Sequence, residues 1–158
     1  MNNLINFLIE AKKNTYANGK ALRTKPLRQG SNDYHFECKI GDKKAIYHDT
    51  YFGGKKFIGE EVVYLNNEEP FWGMNYYGYS LNDDEYENAI TNALRPALMQ
   101  VGIDKNVLPL RGPSRFVNGD YIYTFECKGT MESFTGIEKI YKNNELIYEI
   151  HCHGGIIK

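Results

Sequence analysis

The sequence predicts an α+β fold of two pseudo-symmetric halves, each a helix followed by an antiparallel β-meander, sharing one core. Three observations lead there. Residues 57–78 read as a copy of residues 134–155, in register and without a gap: Phe57, Gly59, Glu61, Tyr64, Asn66, Asn67, Glu68 and Gly78 recur as Phe134, Gly136, Glu138, Tyr141, Asn143, Asn144, Glu145 and Gly155. A repeat dictates architecture, and two copies are too few for a solenoid. Period-two alternation dominates both copies, and a helical pattern precedes each. A helix and three or four strands cannot bury their sheet alone, so both halves are expected to share a core about a pseudo-twofold axis.

Element by element, Leu4, Ile5, Leu8 and Ile9, with Phe7 beside them, make a helical stripe over about residues 3–16, with Asn2 or Asn3 as cap and an end near Asn18-Gly19. Residues 20–32, with Pro26, Gly30, Ser31 and many cations, have the composition of a surface loop. Strands follow at about 33–40, 44–52, 56–65 and 70–78, with turns at Gly41-Asp42, Gly53-Gly54 and Asn66-Asn67. Asn82-Asp83-Asp84-Glu85 reads as a capping box for a second helix, whose face carries Tyr86, Ala89, Ile90, Ala93, Leu94 and Ala97. Pro96 predicts a kink or break in it, with a stop by Gly102. Residues 103–113 read as a linker, before strands at about 120–127, 133–142 and 146–153.

At 158 residues the chain is expected to be a single domain over 1–158, its halves about 1–80 and about 82–158. A net charge of −1 disfavours nucleic-acid binding by this chain alone. The first residues have no basic segment and too short an apolar run for a signal or a membrane span. Three cysteines without a close pair suit neither a disulfide framework nor a metal clip, and point to a cytoplasmic, reducing location. Thirteen tyrosines and eight phenylalanines suit sheet packing first and a ligand cleft second.

Glu61 and Glu138 fall on strand faces with Phe57 or Phe134 and a glycine, where alternation asks for a hydrophobe. A carboxylate so placed pairs with a cation or shifts its pKa, as a structural ion pair or as part of a pocket. His151 and His153 share a face of the last strand; a metal would need further ligands that no recognisable spacing supplies, so no metal and no cofactor is expected. In the repeat register their positions hold Met74 and Tyr76. Trp72, Met74 and Tyr76 form one strand face, which with Glu149, His151 and His153 would wall an organic ligand. The candidate ligand-binding residues are therefore Glu61, Trp72, Tyr76, Glu138, His151 and His153.

Tyr51-Phe52-Gly53-Gly54, Phe57-x-Gly59-Glu60-Glu61, Met74-Asn75-Tyr76-Tyr77-Gly78, Arg111-Gly112-Pro113 and His153-Gly154-Gly155-Ile156 together resemble a bacterial family of uncharacterised domains. Its members occur as short stand-alone proteins and as C-terminal domains behind Xre-type helix-turn-helix DNA-binding domains. The resemblance covers nearly the whole chain, places it among the stand-alone members, assigns no catalytic residue, and implies effector sensing by analogy alone. The expected function is small-molecule binding or sensing without turnover. The alternatives are a small enzyme using Glu61 or Glu138 as base with His151 or His153 as acid, and an interaction module or homodimer pairing through a sheet edge.

Overall fold

Alternation of inward aromatic and outward polar residues produces eight strands, which pair in one antiparallel sheet. The computed structural model describes residues 1–66 and 69–157. Helix α1 (Asn2–Asn14) and a 3-10 turn (Tyr16–Asn18) lead into β1 (Asn32–Ile40), β2 (Lys43–Gly53), β3 (Lys56–Leu65) and β4 (Glu69–Ser80). A helical run of α2 (Tyr86–Ala89), a π-helical turn (Ile90–Leu94) and α3 (Arg95–Leu98) precedes β5 (Arg115–Asn118), β6 (Tyr121–Thr130), β7 (Ser133–Lys142) and β8 (Glu145–Ile156). The spatial order is β1-β2-β3-β4-β8-β7-β6-β5, so the two meanders form one continuous sheet joined between β4 and β8. The fold class is α+β, as the sequence predicts. Strand β5 was not foreseen, because four residues with only Phe116 half-buried are too short to show alternation.

The helical elements cover one face of this sheet. Helix α1 buries Leu4, Phe7, Leu8 and Ala11, with Ile5 and Ile9 flanking them half-buried, so the stripe is turned slightly from the expected one. Its N-cap is Met1 without a side-chain bond, which puts Asn2 and Asn3 inside the helix rather than capping it. Gly19, at φ 70, ends the 3-10 turn by donating its N–H to Tyr16 O. Only half of the expected capping box forms: Asn82 Oδ1 accepts from the backbone N–H groups of Asp84 (3.2 Å) and Glu85 (3.3 Å). The Glu85 carboxylate turns instead to Lys142 and Tyr121.

The helical run passes through Pro96 without a break. The carbonyl that Pro96 cannot bond is that of Asn92, and it accepts instead from Asn118 Nδ2 at 2.9 Å. The π-helical turn directly before Pro96 absorbs the misfit. Residues 103–113 are more than a linker, since Leu110, Arg111, Gly112 and Pro113 are buried. Of the two expected hairpin turns, Asn143 and Asn144 have positive φ (50 and 67), as does Asn66 (56), while Asn67 lies outside the described residues. Among the described residues, no helix is long and apolar enough to cross a membrane.

Candidate functional site

The covered face of the sheet carries a buried cluster of charges. Tyr47 and Asp49 on β2, Glu61 on β3, Tyr76 on β4, Tyr123 on β6 and Glu138 on β7 all turn inward, and Lys12 of α1 and Arg111 of the segment before β5 descend onto them. Lys12 pairs with Glu61 through Oε2. Arg111 forks onto Glu138, Nε to Oε2 and Nη2 to Oε1, each at 2.9 Å, while its Nη1 lies 4.0 Å from Glu61 Oε1. The Tyr123 hydroxyl donates to Glu138 Oε2 at 2.7 Å and accepts from the N–H of Gly112 at 2.8 Å. Glu138 is thus bound by three donors in a fully buried place, the geometry that makes a buried pair tenable. Arg111 bridges the two glutamates that the sequence singled out.

The third carboxylate is not so provided for. Asp49 is 5% exposed and accepts one hydrogen bond, from the Tyr76 hydroxyl at 2.6 Å. Among the described residues the cations of the cluster are Lys12 and Arg111 and its carboxylates are Asp49, Glu61 and Glu138, so one negative charge there stays unmatched. Burial, and then the charge of Glu61, raise the Asp49 carboxyl to about 7, against the pull of Tyr76, Lys12 and Arg111. Burial and the Asp49 carboxylate hold the Tyr76 hydroxyl well above its ordinary value, so it remains a donor. Gly59 makes this bond possible. A Cβ there would lie 2.5 Å from the Tyr76 hydroxyl, so only glycine lets Tyr76 cross β3 to reach Asp49 on β2.

Above Asp49 opens a cavity of about 240 Å³, lined among others by Tyr16, Tyr51, Gly54, Phe57, Tyr76, Tyr86, Arg111 and Tyr148, with Arg23 and Glu87 at the exposed side. This is just under the roughly 300–1,000 Å³ of typical ligand pockets, and it has their character: apolar walls with a few converging polar groups. The rings meet in two groups. Tyr16 meets Tyr51 edge-on at 6.0 Å between centroids, and Phe57 lies 6.2 Å from Tyr76 and 6.0 Å from Tyr148.

Of the residues named from sequence, Glu61, Tyr76 and Glu138 meet in this cluster. Trp72 does not line the cavity; it is fully buried, stacks on Phe134 and donates Nε1–H to Met131 O at 3.1 Å. His151 and His153 stand exposed on the opposite face of the sheet, where they pair with Tyr77 and Asn75, while Cys152 pairs with Tyr76 on the covered face. The expected wall of Trp72, Met74 and Tyr76 with Glu149, His151 and His153 is therefore not formed, and neither histidine can serve Glu61 or Glu138 as acid. His151 Nε2 lies 2.6 Å from Glu149 Oε1 on that open face. Among the described residues, no three His, Cys, Asp or Glu side chains converge as metal ligands. Burial raises the Cys152 thiol to about 12, which removes it as a nucleophile.

Sequence reasoning missed Lys12, Asp49 and Arg111. The first carried a legible signal, a lysine four residues after Leu8 on an otherwise apolar helix face, and Asp49 sat between the inward tyrosines 47 and 51.

Residues 49–157 match a family model described as Domain of unknown function (DUF5680). The match begins at Asp49 and contains Glu61, Tyr76, Arg111 and Glu138. No curated protein and no solved structure matches the chain.

Proposed function

We propose that this chain, which belongs to the DUF5680 family of domains of unknown function, binds a small organic ligand in the cavity above Asp49, as a sensory domain without turnover. One observation carries the reading: an aromatic-walled cavity ends on a buried carboxylate whose charge the protein leaves unmatched. Such an arrangement weakens the fold, and ligand contact is what would offset it. A cytoplasmic location goes with this reading, supported by three free cysteines. Native mass spectrometry of protein from cells tests it, against a variant with the cavity blocked. Gly54 lines the cavity and a Cβ there meets nothing within 4 Å, so Gly54→Trp should fold and fill the space. The expected result is a retained organic molecule on the parent and none on Gly54→Trp. Equal occupancy of both, or none on either, counts against the site.

Turnover has one observation in its favour, since a carboxyl near 7 suits a general base at neutral pH. Conversion of the retained molecule on incubation with fresh protein would establish it.

The reading extends to two related halves, of which the first specialised. In its support, the ladders β3–β4 and β7–β8 each slip once, between Val63 and Tyr64 and between Ile140 and Tyr141. Gly53 and Gly129, both at positive φ, occupy the same hairpin position, and Gly78 and Gly154 make room for Phe57 and Phe134. By ladder position, Asp49 and Tyr76 of the first half answer to Phe125 and Cys152 of the second: Asp49 pairs with Glu61 as Phe125 does with Glu138, and Tyr76 with Gly59 as Cys152 does with Gly136. On this reading an apolar pair fills in one half what the cavity floor occupies in the other. Asp49→Phe combined with Tyr76→Cys should then fold, melt within about 5 °C of the parent and bind nothing. Failure of the double variant to fold would contradict the two-half reading.

A further inference from the structure

Resting on that ligand site, we infer that its ligand is a small organic cation, an ammonium whose charge completes the buried cluster. The charge balance is the first ground. Lys12 and Arg111 neutralise two carboxylates, and a ligand bearing one positive charge beside Asp49 would match the third. Arg111 lines the cavity but does not repel such a ligand as a free cation would, since its guanidinium is committed to Glu138 and lies beside Glu61. The charges at the exposed side, Arg23 and Glu87, are opposite in sign and screened by water, and the cations that act most strongly on Asp49 are Lys12 and Arg111 rather than Arg95 on the Tyr16 ring.

The walls are the second ground. Tyr16, Tyr51, Phe57, Tyr76, Tyr86 and Tyr148 surround the space, and aromatic cages of this kind hold ammonium groups through the negative faces of the rings. Two of these rings already carry a guanidinium: Arg95 lies 5.1 Å from the centroid of Tyr16 and Arg23 lies 5.9 Å from that of Tyr51. A neutral ligand would leave the Asp49 charge unmatched, and an anionic one would add to it.

The inference has a pH signature. The titratable and charged groups that face Asp49 or line the cavity above it are, among the described residues, Tyr34 across β1, Tyr47 and Tyr51 on its own strand, Glu61 on β3, Tyr76 on β4, Tyr148 on β8, Lys12 on α1, Tyr16 in the 3-10 turn, Tyr86 and Glu87 on α2, Arg23 before β1 and Arg111. Burial and the charge of Glu61 raise the Asp49 carboxyl to about 7, so near neutral pH a proton and the ligand cation compete for it. Affinity for the cation should rise from pH 6 to pH 8 and level off above, with proton release on binding.

Three probes of one shape and different charge test this by ligand-observed NMR and calorimetry at constant ionic strength: tetramethylammonium, tert-butanol and pivalate. Tetramethylammonium is expected to bind about tenfold tighter than tert-butanol at pH 8 and to lose about that factor in Asp49→Asn, while tert-butanol is unchanged. Tyr86→Leu, a half-exposed change that spares the buried cluster, should weaken the cation several-fold and the alcohol little. Equal binding of tert-butanol, tighter binding of pivalate, or full cation affinity in Asp49→Asn overturns the inference. A neutral or anionic molecule retained by the parent and lost in Gly54→Trp would also overturn it while leaving the ligand site standing; no binding by any probe and no retained molecule would remove both.

Discussion

Replacing Asp49 with Asn should stabilise the protein at pH 8 by an amount on the order of 4 kcal/mol, an unusual gain for one buried substitution. The reason is linkage. A carboxyl that titrates near 7 in the folded chain and near 3.9 in the unfolded one is protonated on folding between those values, so the folded state binds more protons there. Stability therefore falls as pH rises from about 4 to about 7 and stays at the lower level above. Asn keeps the shape and the acceptor oxygen for the Tyr76 hydroxyl, but has no charge to desolvate. Urea denaturation across pH 4–8 should show the downward slope in the parent and its loss in Asp49→Asn. A variant weaker than the parent at pH 8 would mean that Asp49 is matched after all.

Replacing Arg111 with Met should do the opposite and cost about 3–5 kcal/mol, a large part of the roughly 5–15 kcal/mol that holds a domain together. The substitution removes both bonds of the fork to Glu138 and leaves that fully buried carboxylate with the Tyr123 hydroxyl alone. It also removes the second cation near Glu61, leaving Lys12 as its partner. Changing Glu138 to Met as well should restore much of the loss, because two apolar groups need no mutual compensation. Denaturation midpoints of the single and double variants decide it. A loss under about 1 kcal/mol in Arg111→Met would show the fork to be dispensable.

Part of this site was legible in the sequence. Glu61 and Glu138 announced themselves because strand alternation left each among apolar neighbours, and the glycine two residues before each marked space for a partner. What fills that space differs: the Tyr76 ring beside Gly59, and Phe125 with Cys152 beside Gly136. Arg111 was hidden because it comes from an irregular segment, where no period assigns a side chain to the core. The histidines were misplaced by register. Alternation fixes which residues of β8 share a face but not which face meets Tyr76, and a slip of one residue inverts the answer.

That slip has a visible source. Three residues lie between the paired ends Leu65 and Glu69, and two between Lys142 and Glu145. On the proposed two-half reading, the gapless match of Gly78 with Gly155 is one residue out of step beyond the turn, since Gly78 pairs with Phe57 and Gly154 with Phe134. On that reading His151 and His153 answer to Asn75 and Tyr77 rather than to Met74 and Tyr76. The two-half reading also sets Asp49 with Phe125 through a turn of opposite length difference, between β2 and β3 against β6 and β7, which a gapless match conceals.

Whether the buried cluster holds one carboxylate too many, at the floor of a cavity, can be read from carbon-detected NMR titration of the Asp49 side-chain carboxyl. A midpoint near 7 is expected in the free protein, falling when tetramethylammonium is bound. A midpoint near the ordinary carboxylate value of about 4 in the free protein would contradict it, for Asp49 would then be fully compensated by the protein itself.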